Sequence, residues 1–229
     1  AYEITTRLVV SEMCIRDRKN TQLLSALLPY YRMIARGKNL PESKVCEANA
    51  VIGECALRTG SYALAEEAFR NMMKFRKDAF PINQLATALK KQGKDKEATE
   101  LFRQVADRFA MSERAEDRFE TVRALLALSG SPESVERSRA FGMLETLLED
   151  DPDHPEYRFQ YAQLLAGNPR LFRERRIPGI EPNAAVLLLQ LADAHPERPE
   201  YGLALVELML KKLRYARTGV FSCLQLNVS

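Results

Sequence analysis

Gly60-Ser-Tyr-Ala-Leu-Ala65-Glu-Glu-Ala68-Phe69-Arg-Asn-Met72 recurs thirty-three residues later as Gly93-Lys-Asp-Lys-Glu-Ala98-Thr-Glu-Leu101-Phe102-Arg-Gln-Val105. Gly60, Ala65 and Phe69 move to Gly93, Ala98 and Phe102 by the same interval, and each copy follows an apolar segment with helical spacing. A period in the low thirties built of paired helices marks a helical repeat array. Each copy therefore reads as a turn followed by the second helix of a pair. Leu64, Ala65, Ala68, Phe69 and Met72 form the buried stripe of one, and Ala98, Leu101, Phe102, Val105 and Phe109 that of the next.

The first helices lie just upstream. In the repeat over 42–77 the first helix is predicted to end near Arg58, with Thr59-Gly60 as the turn and Ser61 as N-cap. In the repeat over 79–110, Ile82, Leu85, Ala86 and Leu89 face inward, Pro81 suits a first helical turn and Asp95 is the expected cap of the second helix. A third, longer repeat has a helix over 112–128 that stops at Ser129-Gly130-Ser131-Pro132. Its second helix runs to about Leu148, with Ala140, Leu144 and Leu147 inward. A second internal match organises the rest: Asp151-Pro-Asp-His-Pro155-Glu-Tyr157 returns as His195-Pro-Glu-Arg-Pro199-Glu-Tyr201, shifted by 44. Helices are expected over 156–166, 182–194 and 199–216, and the surplus over a standard repeat falls in 167–181. Ala184 to Leu189 is apolar without a break, which predicts a helix covered on both sides.

Gly53, Ala65 and Phe69 stand where the tetratricopeptide repeat carries its small, small and aromatic residues, and the chain resembles that family over roughly residues 42–216. The resemblance implies an all-α fold, a right-handed α-α superhelix of about four and a half helix pairs. It also implies a non-catalytic scaffold that holds a segment of a partner protein in a concave groove lined by the first helices. Carried over by repeat position, the groove residues are Glu47, Ala50, Val51 and Glu54, then Phe80, Asn83, Gln84 and Thr87. The family's carboxylate-binding clamp needs paired Lys or Arg with Asn, and Glu47, Glu54 and Gln84 depart from it. Bacterial arrays of this type are often joined to kinase or sigma-factor-associated domains, so the chain is expected to be part of a larger regulatory protein.

The two ends read differently from the array. No initiator Met opens the chain, and Val10-Ser-Glu-Met-Cys-Ile-Arg-Asp-Arg18 resembles translated sequencing-adapter read-through. Residues 1–18 are therefore set outside fold reasoning, as for any processing scar. Leu24, Leu27, Leu28, Tyr31 and Ile34 predict an N-terminal helix within 19–41, kinked or divided at Pro29. Residues 217–229 lack helical period and read as an irregular tail. The expectation is an array truncated at both ends.

Composition narrows the chemistry. With 34 basic and 31 acidic residues the formal charge is +3, which gives no general argument for nucleic acid or an anionic membrane. No apolar run reaches the length of a bilayer span. Cys14, Cys46, Cys55 and Cys223 form no Cys-x-x-Cys pair; Cys46 and Cys55 face opposite sides of one helix and read as structural filler. The two histidines, His154 and His195, both precede Pro in equivalent turns and read as turn residues. Carboxylates such as Glu66, Glu67, Glu149, Asp150 and Asp151 read as solvated helix surface, and no phosphate-binding Gly loop is present. No catalytic residue, cofactor or metal site is assigned. The alternative function is an anion or nucleic-acid site on Arg170, Arg173, Arg175 and Arg176, which surround Leu171 and Phe172, supported by Lys90, Lys91, Lys94 and Lys96. Against it stands a solvated loop docked on the array by Phe172.

Overall fold

The computed structural model describes residues 41–131, 133–167, 177 and 179–217, together with Pro29, Arg32 and Met33. Among the described residues all regular structure is α-helical. The helices are α1 (Glu42–Arg58), α2 (Tyr62–Met72), α3 (Ala79–Lys91), α4 (Asp95–Arg108), α5 (Ala115–Leu128), α6 (Val135–Asp150), α7 (Pro155–Gly167), α8 (Ala184–Ala194) and α9 (Pro199–Arg217). Each helix from α1 to α5 packs on the next, α3 also meets α5, and α7, α8 and α9 pack in the same serial way. This is the helix-on-neighbour packing of an α-α solenoid. The chain divides into two compact units, Ala1–Met143 and Leu144–Ser229.

The first unit shows why the 33-residue register folds as it does. Gly60 and Gly93 both adopt the left-handed backbone, with φ of 77° and 78°. In each turn the glycine and the residue after it donate back to the helix just ended. Gly60 N–H reaches Leu57 O at 3.4 Å and Ser61 N–H reaches Ala56 O at 2.8 Å. One repeat on, Gly93 N–H reaches Lys90 O at 3.1 Å and Lys94 N–H reaches Leu89 O at 3.0 Å. This double bond pattern closes a helix C-terminus by satisfying its last carbonyls, and glycine takes the left-handed position without a Cβ clash.

Beyond the turns, small residues let helices meet. Ala65, Phe69, Met72, Ala98, Phe102 and Val105 are buried in one apolar cluster with Ile82, Leu85, Ala86 and Leu89. Cys46 and Cys55 are both buried, on opposite sides of α1. Ser61 occupies the N-cap of α2, yet its side chain makes no capping bond. The N-cap of α4 is Lys94, and Asp95, expected there, is the first helical residue. Its carboxylate still favours the helix start through the macrodipole. Helix α5 begins at Ala115 rather than 112, because Asp117 Oδ2 accepts from Ser112 Oγ at 3.1 Å and holds that residue in the preceding turn. The other oxygen, Oδ1, accepts from the N–H of Ala79, the first residue of α3, at 2.9 Å. A buried carboxylate on one helix thus caps another, two helices back. On the outside, Glu66 gathers Arg70 at 2.8 Å, Gln92 at 2.9 Å and Lys94 at 2.9 Å, tying α2 to the turn after α3.

In the second unit Tyr157, Tyr161, Leu164 and Leu165 of α7 are buried, as are Leu187, Leu188 and Leu191 of α8 and Tyr201 and Leu208 of α9. The matched motifs take matched roles: His154 stacks on Tyr157, with ring centroids 3.7 Å apart, and the Arg198 guanidinium lies 4.8 Å from the Tyr201 ring centre. Arg198 also pairs with Glu156 and with Glu200, joining one copy of the motif to the next. Ile177 and Ile180 of the 167–181 segment are buried, while Leu171 and Phe172 lie outside the described residues. One expectation is corrected. Helix α8 is not covered on both sides, since Val186 and Leu189 are 39% and 49% exposed. It packs mainly on α7 and α9, which leaves part of the unbroken apolar run open. Leu203, Met209, Leu210 and Leu213 of α9 are likewise exposed.

Residues 1–28, with Cys14 and the adapter-like stretch, fall outside the described residues, as do Tyr31, Ile34, Cys223 and the tail after Arg217. No described helix is long and apolar enough to cross a membrane.

Candidate binding groove

The residues assigned by repeat position lie on the first helices α1 and α3. Glu47, Val51 and Glu54 are spaced four and three apart and share one face of α1, as Phe80, Gln84 and Thr87 do on α3. Glu47 is exposed and pairs with Lys44 at 2.8 Å. Val51 is half-buried and Glu54 exposed; Phe80, Gln84 and Thr87 are half-buried. One face of Phe80 is already occupied: the Arg76 guanidinium lies 5.7 Å from its centre, and Phe69 meets it edge-on at 6.4 Å.

Asn83 is different. One residue before Gln84, it is turned about 100° around the helix, toward α5, and only 3% of it is exposed. Its Nδ2 donates to Glu120 O at 3.2 Å and to the Glu120 carboxylate at 2.5 Å. It ties α3 to α5 instead of facing the open groove.

Glu120 and Arg123 on α5 belong to the same contact, and neither is among the groove residues assigned from the sequence. Arg123 Nη1 donates to Glu120 Oε1 at 3.1 Å, and its guanidinium lies 4.9 Å from the Phe119 ring centre. Burial pushes the Glu120 carboxyl above the ordinary carboxylate range, against the pull of Arg123 and Asn83. The available signal was the Glu120-x-x-Arg123 pair on a helix that repeats the α1 and α3 pattern.

Glu54 feels charges from its own helix and from α5. Its side chain is open to solvent, yet the protein around it pushes its carboxyl upward, opposed by Arg58 on its own helix and by Arg123 from α5.

The alternative site divides. Arg170, Arg173, Arg175 and Arg176 lie outside the described residues. Of the lysines grouped with them, Lys90 donates to Ala127 O at 2.9 Å and Lys94 to Glu66 at 2.9 Å, both contacts within the array. His195 Nδ1 stands 3.3 Å from Glu197 Oε1, and His154 is stacked as described above. Among the described residues no group of three or more His, Cys, Asp or Glu is arranged to hold a metal ion. A scan of protein-family models finds no match to this chain, and a search of curated proteins finds none either.

Proposed function

We propose that this chain is a tetratricopeptide-like scaffold that holds a segment of a partner protein against the face formed by its first helices, α1 and α3. The observation that carries this reading is the serial packing of helix pairs, which sets Val51 on α1 and Gln84 and Thr87 on α3 at matching positions of successive first helices. Val51, Gln84 and Thr87 support it: they are half-buried side chains of mixed polarity, as suits a surface that meets an extended or helical segment.

The test is to select binding peptides from a displayed library and map them by amide hydrogen exchange. Protection is expected at Val51, Gln84 and Thr87, and Thr87→Arg is expected to abolish binding with the helical content unchanged. Protection confined to the outer helices α2 and α4 would overturn the assignment.

A further inference from the structure

Helix α9 is apolar on two opposite sides. Tyr201 and Leu208 are buried on one side. Leu203, Val206, Met209, Leu210 and Leu213 fall within an arc of about 120° on the other, centred roughly 150° away around the axis. Four of the five are exposed and Val206 is half-buried. Glu200, Glu207, Lys211 and Lys212 lie outside that arc, so the stripe carries no charge. A helix with apolar residues on both sides is built for neighbours on both. Helix α9 packs on α8 and touches α7 where Tyr201 meets Phe159, yet neither helix covers the second side.

The internal match indicates what fits there. The shift of 44 sets Tyr157, Ala162, Leu164 and Leu165 of α7 at the positions of Tyr201, Val206, Leu208 and Met209 of α9. Tyr157 and Leu164 are buried, as their counterparts are. Ala162 and Leu165 are buried as well, but their counterparts are not: Leu165 is 4% exposed and Met209 48%. What α7 has on this side is the helix that follows it. Helix α8 runs antiparallel along α7, with Arg158 Nη2 donating to Gln190 Oε1 at 3.1 Å near one end and Leu165 bordering a cavity with Asn183 and Ala184 at the other. Its buried residues are Leu187, Leu188 and Leu191. Among the described residues no helix follows α9.

We propose that the open side of α9 is a docking face for a helix of a partner protein, laid antiparallel to α9 as α8 lies on α7. That helix carries apolar residues at the spacing of Leu187, Leu188 and Leu191, because it meets positions equivalent to those that α8 covers. The contact is apolar rather than ionic, since the stripe offers no charged group. It lies on different helices from the groove of α1 and α3 and does not rest on the groove reading.

A labelled peptide of residues 182–195 carrying Val186→Lys and Leu189→Lys, both exposed positions of α8, provides the probe. By fluorescence anisotropy it is expected to bind the full chain saturably. Leu210→Glu in the chain should weaken that binding about tenfold by setting a charge in an apolar contact. The thermal midpoint should hold, since Leu210 is exposed. Val186→Glu in the chain, off the stripe, and Thr87→Arg, in the groove, should each leave the affinity unchanged. A nitroxide on the first residue of the peptide should broaden the amide signal of Met209 more than that of Gly202. The inference is overturned if binding does not saturate, if Leu210→Glu binds as the parent does, if Val186→Glu weakens binding equally, or if the nitroxide marks Gly202 instead. Self-association of the chain that Leu210→Glu abolishes would assign the stripe to a second copy and overturn it too.

Discussion

Gly53 of α1 lies directly beneath the ring of Phe69 of α2. A Cβ at Gly53 would come within 2.6 Å of Cε1 and 2.8 Å of Cε2, and nearer still to Cζ. Phe69 is fully buried and cannot swing away. Gly53→Ala, though it favours helix by propensity, is therefore expected to destabilise the first unit by about 1–3 kcal/mol through overpacking. Phe69→Leu should relieve part of that cost, so the double variant will be less destabilised than the sum of the two single ones. Denaturant midpoints of the four proteins check this; strict additivity would mean that the two residues do not interlock.

Ala65 and Ala98 occupy equivalent places one repeat apart, with 0% and 1% exposure. Ala65→Leu and Ala98→Leu are each expected to cost about 1–3 kcal/mol, although both exchange one apolar residue for another. Near-neutral unfolding midpoints for the pair would refute the 33-residue register.

Glu66 provides a pH test. The Lys94 ammonium, joined by Gln92 and Arg70, holds its carboxyl down to about 2 in the folded chain, against an ordinary value of 4.5. A carboxyl depressed by folding stabilises the fold fully above its unfolded value and loses that contribution as pH falls through the folded one. Glu66→Gln should thus lower the thermal midpoint by about 4 °C at neutral pH. The gap between variant and parent should close between pH 4.5 and 2. A gap that stays constant with pH would assign Glu66 to packing rather than charge.

Asp117 is expected to tolerate amidation better than truncation. Asp117→Ala strands the buried N–H of Ala79 and should cost about 1–3 kcal/mol. Asp117→Asn keeps an oxygen for that N–H and should retain most of the lost stability. Equal losses for the two variants would show that the contact to Ala79 contributes little.

The repeat was legible because its markers are local. Gly60 and Gly93 sit where a helix must end, and the bonds that close those turns need only residues within five positions. The burial of Ala65, Ala98, Phe69 and Phe102 follows from the same spacing. Asn83 was not legible as a tether, because its orientation depends on where α5 packs. The contact with Glu120 joins residues 37 apart, not the 33 of the earlier repeats. Helix α4 has 14 residues where α2 has 11, which moves α5 out of the 33-residue register and with it Glu120 and Arg123. Helix α8 was misjudged for another reason: an unbroken apolar run specifies hydrophobicity on every face, but not how many neighbours arrive to cover it.

Serial packing also has a kinetic consequence. Among the described residues of the first unit, the side-chain hydrogen bonds between Glu66 and Gln92, between Arg139 and Ala106, and between Ala79 and Asp117 span 26, 33 and 38 positions. None of these three bonds requires the chain to close a loop longer than about one helix pair, so the entropy of closing each stays small. Chains dominated by such near-neighbour contacts fold in microseconds to milliseconds. Any adjacent pair of helices can begin the process, and a lesion such as Gly53→Ala would slow the search at one end while α4 and α5 assemble at their ordinary rate.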